Sequence, residues 1–76
     1  MTDALQLWTI YDHPTDFPGW WIARRHDVGP TGSVASGYAV TALDLQDLRE
    51  MLRGMGLTLL GPREPDDAPA IVETWI

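Results

Sequence analysis

No cysteine occurs in the chain, and all five of its basic residues are arginines. The first absence excludes a disulfide, a thiolate nucleophile and any cysteine-held zinc or iron–sulfur centre, and it fits a reducing compartment. Having no lysine excludes a lysine Schiff base. Apolar runs are short, and none approaches the roughly 20 residues a membrane-spanning helix needs. The opening MTDALQLW lacks the basic stretch and apolar segment of a secretory signal, so a cytoplasmic chain without a membrane anchor is expected.

Basic charge is scarce as well. Eleven carboxylates against five arginines give a net charge of −6 in 76 residues. A groove that tracks phosphates needs clustered basic residues, so nucleic acid is not an expected partner. At this size only about 60% of the unfolded chain's surface is removed from water on folding, which allows one small core and makes support from a partner useful.

Aromatic and β-branched residues supply the strands. LQLWTIY, residues 5–11, alternates so that Leu5, Leu7, Thr9 and Tyr11 share one face while Gln6, Trp8, Ile10 and Asp12 share the other. HPTDFPG carries two prolines that fix φ and remove N–H donors, together with an aspartate and a glycine suited to turns. WWIARRH, residues 20–26, resumes an extended pattern and predicts an antiparallel partner for the first strand. DVGPTGSVASG, residues 27–37, reads as a flexible glycine-rich connection, with a short extended piece to follow at 37–40.

The helix pattern is the clearest local feature. Leu45, Leu48, Leu52 and Met55 recur at three- and four-residue steps, which predicts a helix near residues 42–55 lying on a sheet. Thr41 is the expected cap, Asp44 suits the first turn, Arg49 and Arg53 suit the last, and Gly56 suits a left-handed ending with Leu57 folded back on Leu52. LTLL, residues 57–60, and IVETWI, residues 71–76, predict two more strands around the proline-rich GPREPDDAP. The whole chain therefore reads as one α+β domain of order β-β-α-β-β, a mainly antiparallel sheet with one helix on one face.

Sites are weaker than elements. Asp12, His13 and Asp16, with His26 from the next strand, offer the oxygen and nitrogen donors of a divalent-metal site, the basis for an alternative reading as a metal-binding protein or metal-dependent enzyme. The opposing reading of YDHPTDFPG is a stiff surface turn whose acids accept backbone N–H bonds. A general base could be drawn from the same histidine, yet no nucleophile-bearing motif accompanies it, and no catalytic residue or cofactor is assigned. GPTGSVASG lacks the residues of a phosphate-binding loop. Glu64, Asp66 and Asp67 would suit a basic partner or a cation, although a solvated loop is the simpler account. Arg24 and Arg25 fall on opposite strand faces, with one expected to pair with Glu73 or a helix acid.

Four tryptophans on predicted strands exceed what one helix is expected to cover. A non-enzymatic protein-interaction domain follows as the expectation, a homodimer or a complex with another protein, with Trp8, Trp21 and Trp75 at an aromatic sheet face or edge and Arg25 orienting the contact. YDHPTDFPGWWIARR, taken with LDLQDLREMLRGMGLTLLGPREPDDAPAIVETWI, resembles small bacterial or prophage-associated proteins of unassigned function. That resemblance implies a compact bacterial accessory protein and assigns no catalytic role.

Overall fold

The computed structural model describes residues 5–63 and 70–76. Strands β1 (Leu5–Asp12), β2 (Trp21–Gly29) and β3 (Gly32–Ala42) lead into helix α1 (Leu45–Gly54), followed by β4 (Leu59–Pro62) and β5 (Ile71–Trp75). All five strands form one antiparallel sheet in the order β3-β2-β1-β5-β4. The expected β-β-α-β-β plan holds, with a full strand added before the helix.

That added strand corrects the reading of residues 27–37 as an irregular connection. Most of them lie in a β2–β3 hairpin turning at Gly29-Pro30-Thr31-Gly32, where Gly32 adopts φ of +124°. A positive φ of that size is open to glycine and costly for other residues. Further along, the ladder has a bulge: Arg24 faces Ala39 and His26 faces Ala35, so Arg25 alone stands opposite residues 36–38. Gly37, at φ +87°, makes the extra turn of backbone possible, and the Ser36 hydroxyl ties it down. It donates to the Arg25 carbonyl and accepts from the Tyr38 N–H, both at 3.2 Å.

The helix begins later than expected. Thr41 stays in β3 opposite Ile22, and Asp44 is the cap, its carboxylate accepting from the Gln46 N–H at 2.7 Å. An aspartate satisfies a free N–H of the first turn and places negative charge at the positive end of the helix. The predicted ending is present in full. Gly56, at φ +85°, donates to the Arg53 carbonyl at 3.0 Å, and Leu57 donates to the Leu52 carbonyl at 3.1 Å.

Leu48 and Leu52 are the buried pair of α1, and they join Trp8, Ile10, Ala23, Ala42 and Trp75 in the core between helix and sheet. Strand alternation explains the membership: Trp8 and Ile10 share one face of β1, opposite Trp75 and Ala23 on the neighbouring strands. Trp8 is 6% exposed and Trp75 is 1% exposed. Glu73, the buried carboxylate of the core face, accepts from Trp75 Nε1 at 2.7 Å and from Arg49 Nη2 at 2.6 Å. Those bonds let a polar indole edge and an acid occupy a dry site. Arg49, not a strand arginine, is the partner of Glu73, and the hydrogen bond to that carboxylate raises the Arg49 pKa above its usual value.

Candidate functional site

The sheet face away from α1 has its own cover. Ile22 is 1% exposed although it lies outside the core cluster. Tyr11 stands across from it on β1, Arg24 follows it on the same face of β2, and Phe17 reaches over from the connection between the strands. YDHPTDFPGWW is thus a structural clasp. Its backbone closes in two successive turns, Phe17 N–H to the Pro14 carbonyl at 2.9 Å and Trp20 N–H to the Phe17 carbonyl at 3.2 Å. Pro14 is buried at its start, and Pro18 holds the φ that the second turn needs.

Asp16 leaves this turn to form an ion pair with Arg24. The Arg24 guanidinium carbon lies 5.0 Å from the Tyr11 ring centroid and 5.8 Å from that of Phe17, so one cation is held by two rings and a carboxylate. Around it runs a cleft of about 310 Å³, lined by Tyr11, Phe17, Ile22, Arg24 and His26 and, along β3, by Ala35, Gly37, Tyr38 and Ala39. Its walls are mostly apolar, while its charged groups are two arginines and one aspartate in a chain of net charge −6.

Arg25 reaches the rim from the bulge and is engaged on the other sheet face. Its Nε and Nη2 donate to the two carboxylate oxygens of Asp27 at 2.9 and 3.1 Å, and its guanidinium carbon lies 4.9 Å from the Tyr38 ring centroid. The hydrogen bond from Arg25 holds the Asp27 carboxyl below its usual pKa and in turn raises that of Arg25.

Neither sequence-based site survives these placements. Asp12 contacts His13, Nδ1 to Oδ1 at 2.5 Å, and the imidazole sits edge-on to Trp21 at 5.3 Å between centroids. Asp16 is turned toward Arg24, and His26 lies further along β2 opposite Leu7. Among the described residues no three His, Asp or Glu side chains gather as a metal site would require. The expected metal site at Asp12, His13, Asp16 and His26 is therefore dispersed over separate partners. Glu64, Asp66 and Asp67 lie outside the described residues.

The aromatic self-association surface is overturned by burial. Trp8 and Trp75 are core residues, Trp21 is half-buried against the core and His13, and Arg25 is committed to Asp27 and Tyr38. Trp20, at 41% exposure, does not gather the other three into a patch. Among the described residues, no helix is long and apolar enough to cross a membrane. The residues that do build a site, Tyr11, Phe17, Ile22 and Arg24, were open to detection in part. Tyr11, Ile22 and Arg24 are compatible with one sheet face by alternation, but nothing local in PTDFPG says that Phe17 folds back over them. No family model, curated protein or solved structure matches the chain.

Proposed function

We propose that this protein is a ligand-binding domain for a small organic anion, an apolar body carrying a carboxylate, received in the cleft between the 13–20 clasp and β3. The observation that carries this reading is Arg24 itself, a guanidinium presented beside the apolar floor of Ile22 and braced by Tyr11 and Phe17. A volume of about 310 Å³ suits a compact molecule and stands at the lower end of known ligand sites. A planar, permanently charged fork is the side chain best suited to recognise a carboxylate with two parallel hydrogen bonds. Asp16 occupies it in the free protein and is 59% exposed, so an incoming carboxylate can displace it into water.

The test is an amide-resolved NMR titration of the intact protein with benzoate, phenylacetate and naphthoate, each paired with its primary amide. Saturable shifts centred on Tyr11, Ile22, Arg24 and Ala39 are expected for the acids. The amides are expected to bind about tenfold more weakly, because a hydrogen bond to a charged group contributes about 1.5 to 3 kcal/mol. Equal responses to acid and amide, or no response at these residues, would reject the reading.

A further inference from the structure

Among the described residues, the two edges of the sheet are built differently. β4 is four residues long and ends in Pro62, a short edge of the kind that resists addition of another strand. β3 runs for eleven residues, GSVASGYAVTA, without a charge or a proline, and all of it except Ser36, Val40 and Ala42 is exposed. An uncharged edge is a template for backbone pairing along each of its unbroken runs. Its bulge at residues 36–38 divides it into two paired runs, 32–35 and 39–42.

Side-chain size along this edge has a direct bearing on the cleft. Ser33, Ala35, Ala39 and Thr41 pair with Val28, His26, Arg24 and Ile22, which places these small side chains on the cleft's side of the sheet. Toward the open edge the cleft is lined by Ala35, Gly37 and Ala39, with Tyr38 the one large side chain on that strand, while Phe17 and Tyr11 line it on the other side. A chain lying alongside β3 would be two strand spacings from β2, roughly 10 Å. A glutamate directed over Ala39 would cross that gap, with the Arg24 guanidinium turning from Tyr11 and Phe17 toward β3 to meet it.

We infer that the carboxylate bound in the cleft belongs to an extended acidic peptide, which pairs with β3 as a sixth strand and directs a glutamate or aspartate over Ala39 to Arg24. This rests on the carboxylate-binding reading above and specifies its ligand class. Pairing supplies main-chain hydrogen bonds that are blind to sequence; Arg24 supplies the selection for an acid. Val34, 67% exposed and paired with Asp27, offers the partner's alternate side chains an apolar contact on the opposite face.

The probes are acetylated, amidated octapeptides of alternating valine and threonine with a single glutamate placed in turn at each position. They are titrated into the unmodified protein beside glutamine versions and versions N-methylated at every second residue. The expected result is saturable shifts along residues 33–41 and at Arg24 for at least one glutamate position. Either glutamine replacement or N-methylation is expected to weaken binding about tenfold or more. Binding indifferent to N-methylation would overturn strand addition, and binding indifferent to the acid would overturn the role of Arg24. If the small carboxylates bind while no peptide in the series does, the cleft reading stands and this inference falls. If neither class binds, both fall.

Discussion

Trp75 and Glu73 sit two residues apart on one face of β5, and the indole Nε1 donates to the Glu73 carboxylate at 2.7 Å inside the core. Arg49 completes the arrangement from the helix, with its side chain 32% exposed against 5% for Glu73. The acid thus satisfies a buried donor on its own strand and fastens α1 to the sheet. Replacing Glu73 with alanine strands the indole N–H in an apolar site, and an unsatisfied buried group costs about 1 to 3 kcal/mol. Glu73→Gln keeps an acceptor for the indole and loses only the charge on a partner that can turn toward water. Urea unfolding followed by tryptophan fluorescence is expected to show Glu73→Ala less stable by about 2 kcal/mol and Glu73→Gln by about half of that. Equal losses would contradict the role assigned to the indole bond.

Helix burial gives a second contrast. Leu52 is fully enclosed between α1 and the sheet, whereas Leu43, just before the helix, is 72% exposed. Leu52→Ala is expected to lower stability by about 3 kcal/mol, the middle of the range for leucine deletions in a packed core. Leu43→Ala should change it by less than about 0.5 kcal/mol. Thermal unfolding of the two variants at one protein concentration checks both.

At the helix end, backbone conformation separates two glycines that differ little in their surroundings. An added Cβ meets nothing within 4 Å at either Gly54 or Gly56, but only Gly56 has a left-handed φ, +85°. Gly54→Ala is expected to raise stability by roughly 0.5 kcal/mol through helix propensity. Gly56→Ala should lower it by about 1 kcal/mol through left-handed strain. Denaturant midpoints of opposite sign relative to the parent protein are the checking observation.

The pH dependence follows from Asp27. Its folded pKa lies below the unfolded value because Arg25 hydrogen-bonds its ionised form. The stabilisation is therefore complete above the ordinary aspartate range and is lost as pH falls through the depressed folded pKa. Carboxyl-carbon NMR should place the Asp27 midpoint below that of a model aspartate. In Asp27→Asn the parent's acid-side loss of stability from this pair should be absent, and an Asp27 midpoint at or above the model value would contradict the assignment.

How much of this was legible in the sequence varied with how each residue gets its environment. Leu48 and Leu52, Gly56 and the Trp8/Ile10 face of β1 were readable because periodicity and backbone preference are local. β3 was legible only as a short extended piece at 37–40, since an edge strand of serine, alanine and glycine carries little apolar alternation and is recruited by its partner β2. Counting four strand-borne tryptophans against one helix points Trp8 and Trp75 to a surface, and it misses that both fit beneath α1, where Glu73 gives the Trp75 indole an acceptor. The clasp was invisible for a related reason. Asp16 and Phe17 acquire their roles only when Arg24, eight residues after Asp16, is brought beneath them by the β1–β2 register.

Asp16 is the residue on which the cleft's chemistry turns, because it competes with any ligand for the same guanidinium. An exposed ion pair of this kind contributes about 0.2 to 1 kcal/mol, so Asp16→Asn should leave the fold intact. The same substitution removes a negative charge from the mouth of the cleft and frees Arg24 for an incoming acid, so benzoate affinity should rise severalfold at low salt. Arg24→Gln should act in the opposite direction and abolish the preference for benzoate over benzamide, while Tyr11 and Phe17 keep the apolar contacts. Raising the salt concentration should narrow the gap between the parent and Asp16→Asn, since screening weakens the competing pair and the ligand contact together. If Asp16→Asn instead weakens carboxylate binding, the aspartate is holding Arg24 in its binding position, and displacement by the ligand is not how the cleft works.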